Sequence, residues 1–165
     1  MELFCVLNAV VVIGILIMFA CLVYKDITEC KLPNWQILVL AMLSLLFSIL
    51  SELTIEQMDC SAWLINHATA LLPVSGFYLA VYVASRGELI GLGDVKLGVP
   101  IAILLSSWQE ALLTLILANV LAMIIIVPLM ITKKISVNKK VPFGPFLITA
   151  CLLIFFGMKF FVNFF

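Results

Sequence analysis

Apolar residues in this chain come in runs long enough to cross a bilayer, and short segments between the runs hold nearly all of the charge. That pattern excludes a water-soluble core. Hydrophobic residues make up 65% of the 165 and charged residues only 11%, against about 45–50% and about 25% in a soluble domain. A helix covers a hydrocarbon core of roughly 30 Å with about 20 apolar residues. The runs are Leu3–Tyr24, Trp35–Leu50, Ala62–Ala84, Gly93–Ser107, Ala111–Ile131 and Phe143–Val162. The expected fold is all-α, a polytopic membrane protein of about six transmembrane helices forming one domain over 1–165. The fourth run is the weakest. Its strictly apolar part begins at Leu97 and rises only about 16 Å as a helix, so a re-entrant pair with the fifth run is the competing arrangement. The first run does not read as a secretory signal, because Glu2 and no Lys or Arg flanks it.

Loop charges test the count. Lys25 and Lys31 fall in the segment Lys25–Asn34, Arg86 and Lys96 in Ser85–Lys96, and Lys133, Lys134, Lys139 and Lys140 in Thr132–Lys140. The intervening loops hold no Lys or Arg, and Ser51–Ser61 carries Glu52, Glu56 and Asp59 instead. Only Lys159 stands outside the three basic loops. Basic loops face the cytoplasm, which puts both termini outside. Net charge is zero and no basic tail or patch exists, so nucleic acid is not an expected partner; membrane lipid is. The five cysteines (Cys5, Cys21, Cys30, Cys60 and Cys151) form no Cys-x-x-Cys pair. No zinc site, metal-ligand cluster or cofactor site is visible, and the thiols read as reduced packing groups.

Carboxylates near the hydrocarbon are costly and usually functional. Asp26 closes the first span and Asp94 opens the fourth, so the topology places both at the cytoplasmic boundary. Two carboxylates brought together hold a single proton near neutral pH. One then activates water as a base while the other protonates the departing group. This chemistry needs no metal and no Ser or Cys nucleophile. Spacing alone does not bring the two together, and an Asp at a helix end is also a common solvated charge or cap. Gly91 and Gly93, just before Asp94, permit unusual backbone dihedrals and close approach of another chain; a plain turn between spans is the simpler account.

Gly91-Leu92-Gly93-Asp94 resembles the Gly-x-Gly-Asp motif of intramembrane aspartic proteases, and through Val95-Lys96-Leu97 it resembles the prepilin peptidases in particular. Asp26 followed by Leu32-Pro33-Asn34 is similar to that family's first motif, and Pro142-Phe143-Gly144-Pro145-Phe146-Leu147 to a third block opening the last span. The resemblance implies an enzyme that removes the short, basic, cytoplasmic leader of type IV prepilins or pseudopilins just before their hydrophobic segment. Asp26 and Asp94 become its catalytic pair, and Gly91 and Gly93 shape the active-site backbone. Lys96 stands beside the dyad as a substrate contact or as a plain flanking cation, while Pro33, Asn34, Pro142, Phe143 and Gly144 are supporting motif residues. Larger members carry a cytosolic insertion with paired Cys-x-x-Cys motifs and a methyltransferase activity. This chain has neither insertion nor pairs. It resembles the short, peptidase-only type of Tad-type pilus systems, except that Glu29 adds an acid where short members are often more basic.

Other residues have blander readings. His67 suits packing or hydrogen bonding within the third span. Asn119, Pro128 and Pro100 suit structure: a cavity wall, a kink, and a bend behind Asp94. Trp35, Trp63 and Trp108 fall near span ends, as interface anchors do, and the Phe155–Phe165 end reads as lipid-facing. The rival function is a small transporter component in which Asp26 and Asp94 bind a proton or cation, although transport gives no reason for Leu-Pro-Asn after Asp26. A non-catalytic scaffold is a third reading.

Overall fold

A computed structural model describes residues 2–53, 60–88, 90–132 and 142–164, with side chains at 4, 6–53, 60–88, 90–132 and 142–158. The basic stretch Lys133–Lys140, the acids Glu56 and Asp59, and the side chains of Cys5 and Lys159 lie outside the described residues. All regular structure among those described is helical: α1 (Glu2–Glu29), α2 (Asn34–Leu53), α3 (Cys60–Leu71), a π-helical turn (Leu72–Gly76), α4 (Phe77–Ala84), α5 (Leu92–Leu105), α6 (Trp108–Ile131) and α7 (Gly144–Phe164). Four segments are long and apolar enough to cross a membrane: Val6–Glu29, Asn34–Leu53, Cys60–Ala84 and Trp108–Ile131. Gly144–Met158 is a shorter apolar helix. The chain is thus an all-α protein built to sit in a bilayer, and its exposed Val10, Ile13, Ile17, Met123 and Ile124 are apolar, as a lipid-facing surface requires.

Local chemistry sets the breaks. Helix α1 continues past Tyr24, where its apolar run stops, because Lys25–Glu29 contains no helix breaker. It ends where Cys30 turns left-handed (φ 50°) and its N–H bonds the Asp26 carbonyl at 3.0 Å. Pro33 then starts α2, its carbonyl accepting from the N–H groups of Gln36 and Ile37. In the third span Pro73 lacks an N–H and would crowd the carbonyl four residues back; the chain widens there into the π turn.

Helix α5 is the packing centre. Its fourteen residues rise about 21 Å, short of the roughly 30 Å hydrocarbon. Eight of them are buried, and α2, the π turn, α3, α4, α6 and α7 all pack on it. Gly98 makes the tightest of these contacts possible. A Cβ there would lie 3.1 Å from the Ser75 Cα and N in the π turn, and the Ser75 hydroxyl donates to the Val95 carbonyl at 3.2 Å. Helix α5 begins beside Asp94 and ends at Ser106, which takes a left-handed cap conformation (φ 59°).

That far end is a closed polar cluster. The ring of His67 meets Trp63 O through Nδ1 at 2.8 Å, and its Nε2 meets the hydroxyls of Ser48 at 2.7 Å and Ser106 at 2.9 Å. A carbonyl only accepts, so Nδ1 carries the hydrogen; Nε2 has one lone pair to offer the two hydroxyls, and Ser106 Oγ also meets the Ile103 carbonyl at 3.0 Å. The Trp63 indole donates to Ser48 Oγ at 3.0 Å. His67 therefore serves hydrogen bonding, as expected, while Trp63 is tied inward; Trp35 and Trp108 stay exposed. Phe155 is buried and meets Phe47 edge-on at 5.5 Å, so the start of the Phe-rich end packs inside rather than facing lipid.

Candidate functional site

At the other end of α5 an open cavity of about 520 Å³ is lined by Asp26, Glu29, Cys30, Lys31, Leu32, Pro33, Asn34, Gly91, Leu92, Gly93, Asp94 and Lys96. The first two sequence motifs thus form one wall-to-wall site. Each aspartate is held by a helix start. Gly144 opens α7, and its N–H, one of the donors a helix leaves unpaired at its N-terminus, donates to Asp26 Oδ2 at 3.0 Å. The Asp26 side chain is 5% exposed, and this amide is the hydrogen-bond donor that the fold supplies to it. A Cβ on residue 144 would sit 2.6 Å from Asp26 Oδ2. Only glycine lets the carboxylate reach the amide.

Asp94 lies in the first turn of α5, its N–H bonded to the Gly91 carbonyl at 3.2 Å. Its side chain also receives a hydrogen bond from the Gly91 backbone, the reach-back of a capping box. Asp94 is partly buried and lines the same cavity as Asp26.

The glycines of the second motif act differently from expectation. Gly91 has ordinary extended dihedrals (φ −77°, ψ 148°) and Gly93 is helical, so neither uses a conformation reserved for glycine. Gly93 instead allows close approach: a Cβ there would lie 3.1 Å from the Leu32 Cβ. Leu32 thereby locks the first motif onto the second. Lys96 does the same at the rim, donating from Nζ to Asn34 Oδ1 at 2.9 Å. Pro33 shapes the turn, and Phe143 caps α7 with its carbonyl, accepting from Phe146 and Leu147. Pro142 is half-buried ahead of it.

One neighbour of the site was missed by the sequence reading. Tyr78 of α4 is 1% exposed and meets Phe143, the residue before Gly144, edge-on at 5.5 Å. The available signal was a phenol inside an apolar run, where a polar group needs a partner. Among the described residues no cluster of His, Cys, Asp and Glu suits a metal ion.

Fold and cavity define a helical membrane protein whose polar chemistry is gathered at one end of a central short helix. The sequence matches the type IV leader peptidase family over residues 11–127. The chain belongs to that family, the prepilin peptidases, and is thereby a peptidase by descent. The match takes in Asp26, Leu32–Asn34, Tyr78, Gly91–Asp94 and Asn119. Pro142–Leu147 lies beyond it, and the Gly144–Asp26 bond is what ties that block to the cavity. Neither the curated proteins nor the solved structures compared with the chain gave a match.

Proposed function

We propose that the chain is a membrane-embedded aspartic endopeptidase that removes the leader of type IV prepilins or pseudopilins just before their hydrophobic segment. The observation that carries this reading is that Asp26 and Asp94, from distant helices, line one open cavity. One carboxylate draws a proton from water as it attacks the peptide carbonyl, and the other gives a proton to the departing amine. The pair titrates as a unit, so activity falls at both low and high pH. The open rim leaves room for an extended segment, while the substrate's own hydrophobic helix stays in lipid. Positive loops at this end support a cytoplasmic active site with both termini outside. The transporter reading would use the same carboxylates. Against it, the residues of α5 beyond the cavity, Leu97, Ile101 and Ala102, are fully buried and give an ion no polar path.

The test is purified chain in detergent with a full-length prepilin, read by mass spectrometry. Cleavage before the apolar segment supports the reading; an intact prepilin under conditions where the chain stays folded sinks it. The same product answers a second proposal, that this chain acts alone as a single domain that cuts without methylating. With S-adenosylmethionine present, the new N-terminus should stay free, and an added methyl group would overturn that part. Cys30 and Cys60 are both exposed and lie on opposite ends of α1–α3. A membrane-impermeant thiol reagent added outside cells should label Cys60 and spare Cys30.

A further inference from the structure

The helices around α5 form a ring with one gap. Helix α1 packs on α2 and α7, α7 on α6, and α6 on α3 and the π turn. Between α2 and the third span (α3, the π turn and α4) the ring stays open. Among the described residues no Cα of α2 comes within 8 Å of that span, although both pack on α5. The face that α5 turns to this gap follows from its two edges. On one side Gly93 meets Leu32 and Lys96 meets Asn34; on the other, Val95 and Gly98 meet Ser75 of the π turn. With 3.6 residues to a turn, the strip between those edges holds Leu92, Val99 and Ile103. None of the three is among the eight buried residues of the helix, and Leu92 is 45% exposed. A seam therefore runs along α5, its apolar floor about 16 Å long from Leu92 to Ile103.

The two ends of the seam differ. Its inner end opens into the cavity, which Leu92, Lys96 and Asn34 also line. Its outer end is closed by the hydrogen bonds that join Ser48 of α2, His67 of α3 and Ser106 after α5. We propose that this seam is the docking site for the substrate's hydrophobic helix, seated on Val99 and Ile103 with its N-terminal end at the cavity. The inference rests on the reading of the chain as a prepilin peptidase and adds where the uncut part of the substrate is held. A bond cut just before an apolar segment lies in the cavity while the residues after it already stand in hydrocarbon. Backbone in hydrocarbon must satisfy its own polar groups, so that segment is helical. The seam offers it an apolar surface continuous with the cavity, and about eleven helical residues cover the floor. Apolar character alone does not join helices in lipid; close side-chain packing does, and a groove supplies more of it than a convex face. Seated there, the helix fixes how far the scissile bond reaches toward Asp26 and Asp94.

The experiment uses full-length chain in detergent with a full-length prepilin. Val99→Trp and Ile103→Trp fill the floor and should each raise KM roughly 10-fold or more, with kcat changed far less. Ile124→Trp, on the exposed face of α6, should leave both parameters at their wild-type values. A wild-type KM in both floor variants overturns the proposal, as does a fall in kcat with KM unchanged. If a tryptophan unfolds the chain, crosslinking decides. A photoreactive benzophenone side chain at position 99, in Asp94→Asn so that prepilin stays whole, should couple to the apolar segment of prepilin, and one at position 124 should not. Equal coupling at both positions, coupling to a second copy of this chain, or coupling to lipid alone overturns the docking site. Failure of the wild type to cleave prepilin removes the peptidase reading itself. Cleavage by the wild type with no coupling at position 99 leaves that reading standing and removes only the seam.

Discussion

The two ends of α5 each carry a cluster of polar groups and treat it in opposite ways. At the Ser106 end, His67 has partners on both ring nitrogens and sits 7% exposed among Ser48, Trp63 and Ser106. At the Asp94 end, the carboxyls of Asp26 and Asp94 line an open cavity of about 520 Å³. A closed, satisfied network rigidifies a core. Like charges gathered at an opening leave the fold a cost that chemistry can use. The difference teaches which polar cluster holds the helices together and which one is kept available.

The comparison breaks most sharply through the carboxyls. Asp26→Asn and Asp94→Asn should each lower kcat by at least about 100-fold, and the double variant should be little worse than either single. Prepilin cleavage assays on folded protein check this; His67→Ala in the same assay should retain most of its turnover. Gly144→Ala comes next. Its Cβ would lie 2.6 Å from Asp26 Oδ2, so the carboxyl must leave the α7 amide, and kcat should fall roughly 10-fold for a clash of this kind.

At the closed end the expected effect is on stability. His67→Ala removes the ring that joins Ser48, Ser106 and the Trp63 carbonyl and leaves a gap in its place, which should cost about 1–3 kcal/mol, read by thermal unfolding in detergent; an unchanged midpoint would show the cluster to be decorative. The smallest effect is expected at Cys30, a non-glycine residue held at φ 50°. Cys30→Gly should raise stability by about 0.5 kcal/mol through relief of the left-handed backbone. A drop in the midpoint would mean that the thiol's own contacts outweigh the strain.

Hydropathy located every helix but misjudged several ends. The Leu3–Tyr24 run marks the apolar stretch, whereas α1 continues through Lys25 and Asp26 to Glu29, because the hydrogen-bond ladder tolerates polar residues that the hydropathy count does not. Helix α5 looked too short, and by length it is; burial inside the bundle makes its length immaterial to lipid. Helix α5 runs from the cavity to the His67 cluster.

The sequence by itself determined the class of fold, the order of the helices and the motifs in which Asp26 and Asp94 stand. Those signals are local: apolar length, a Pro or Gly at a turn, a charge at the edge of a run. Only the tertiary structure decided that Gly144 caps Asp26, that Leu32 seats on Gly93, that Lys96 binds Asn34 and that Asn119 meets Tyr78. These pairs join helices far apart in the chain. Their meeting depends on how helix faces pack, and no period or spacing along the sequence records it.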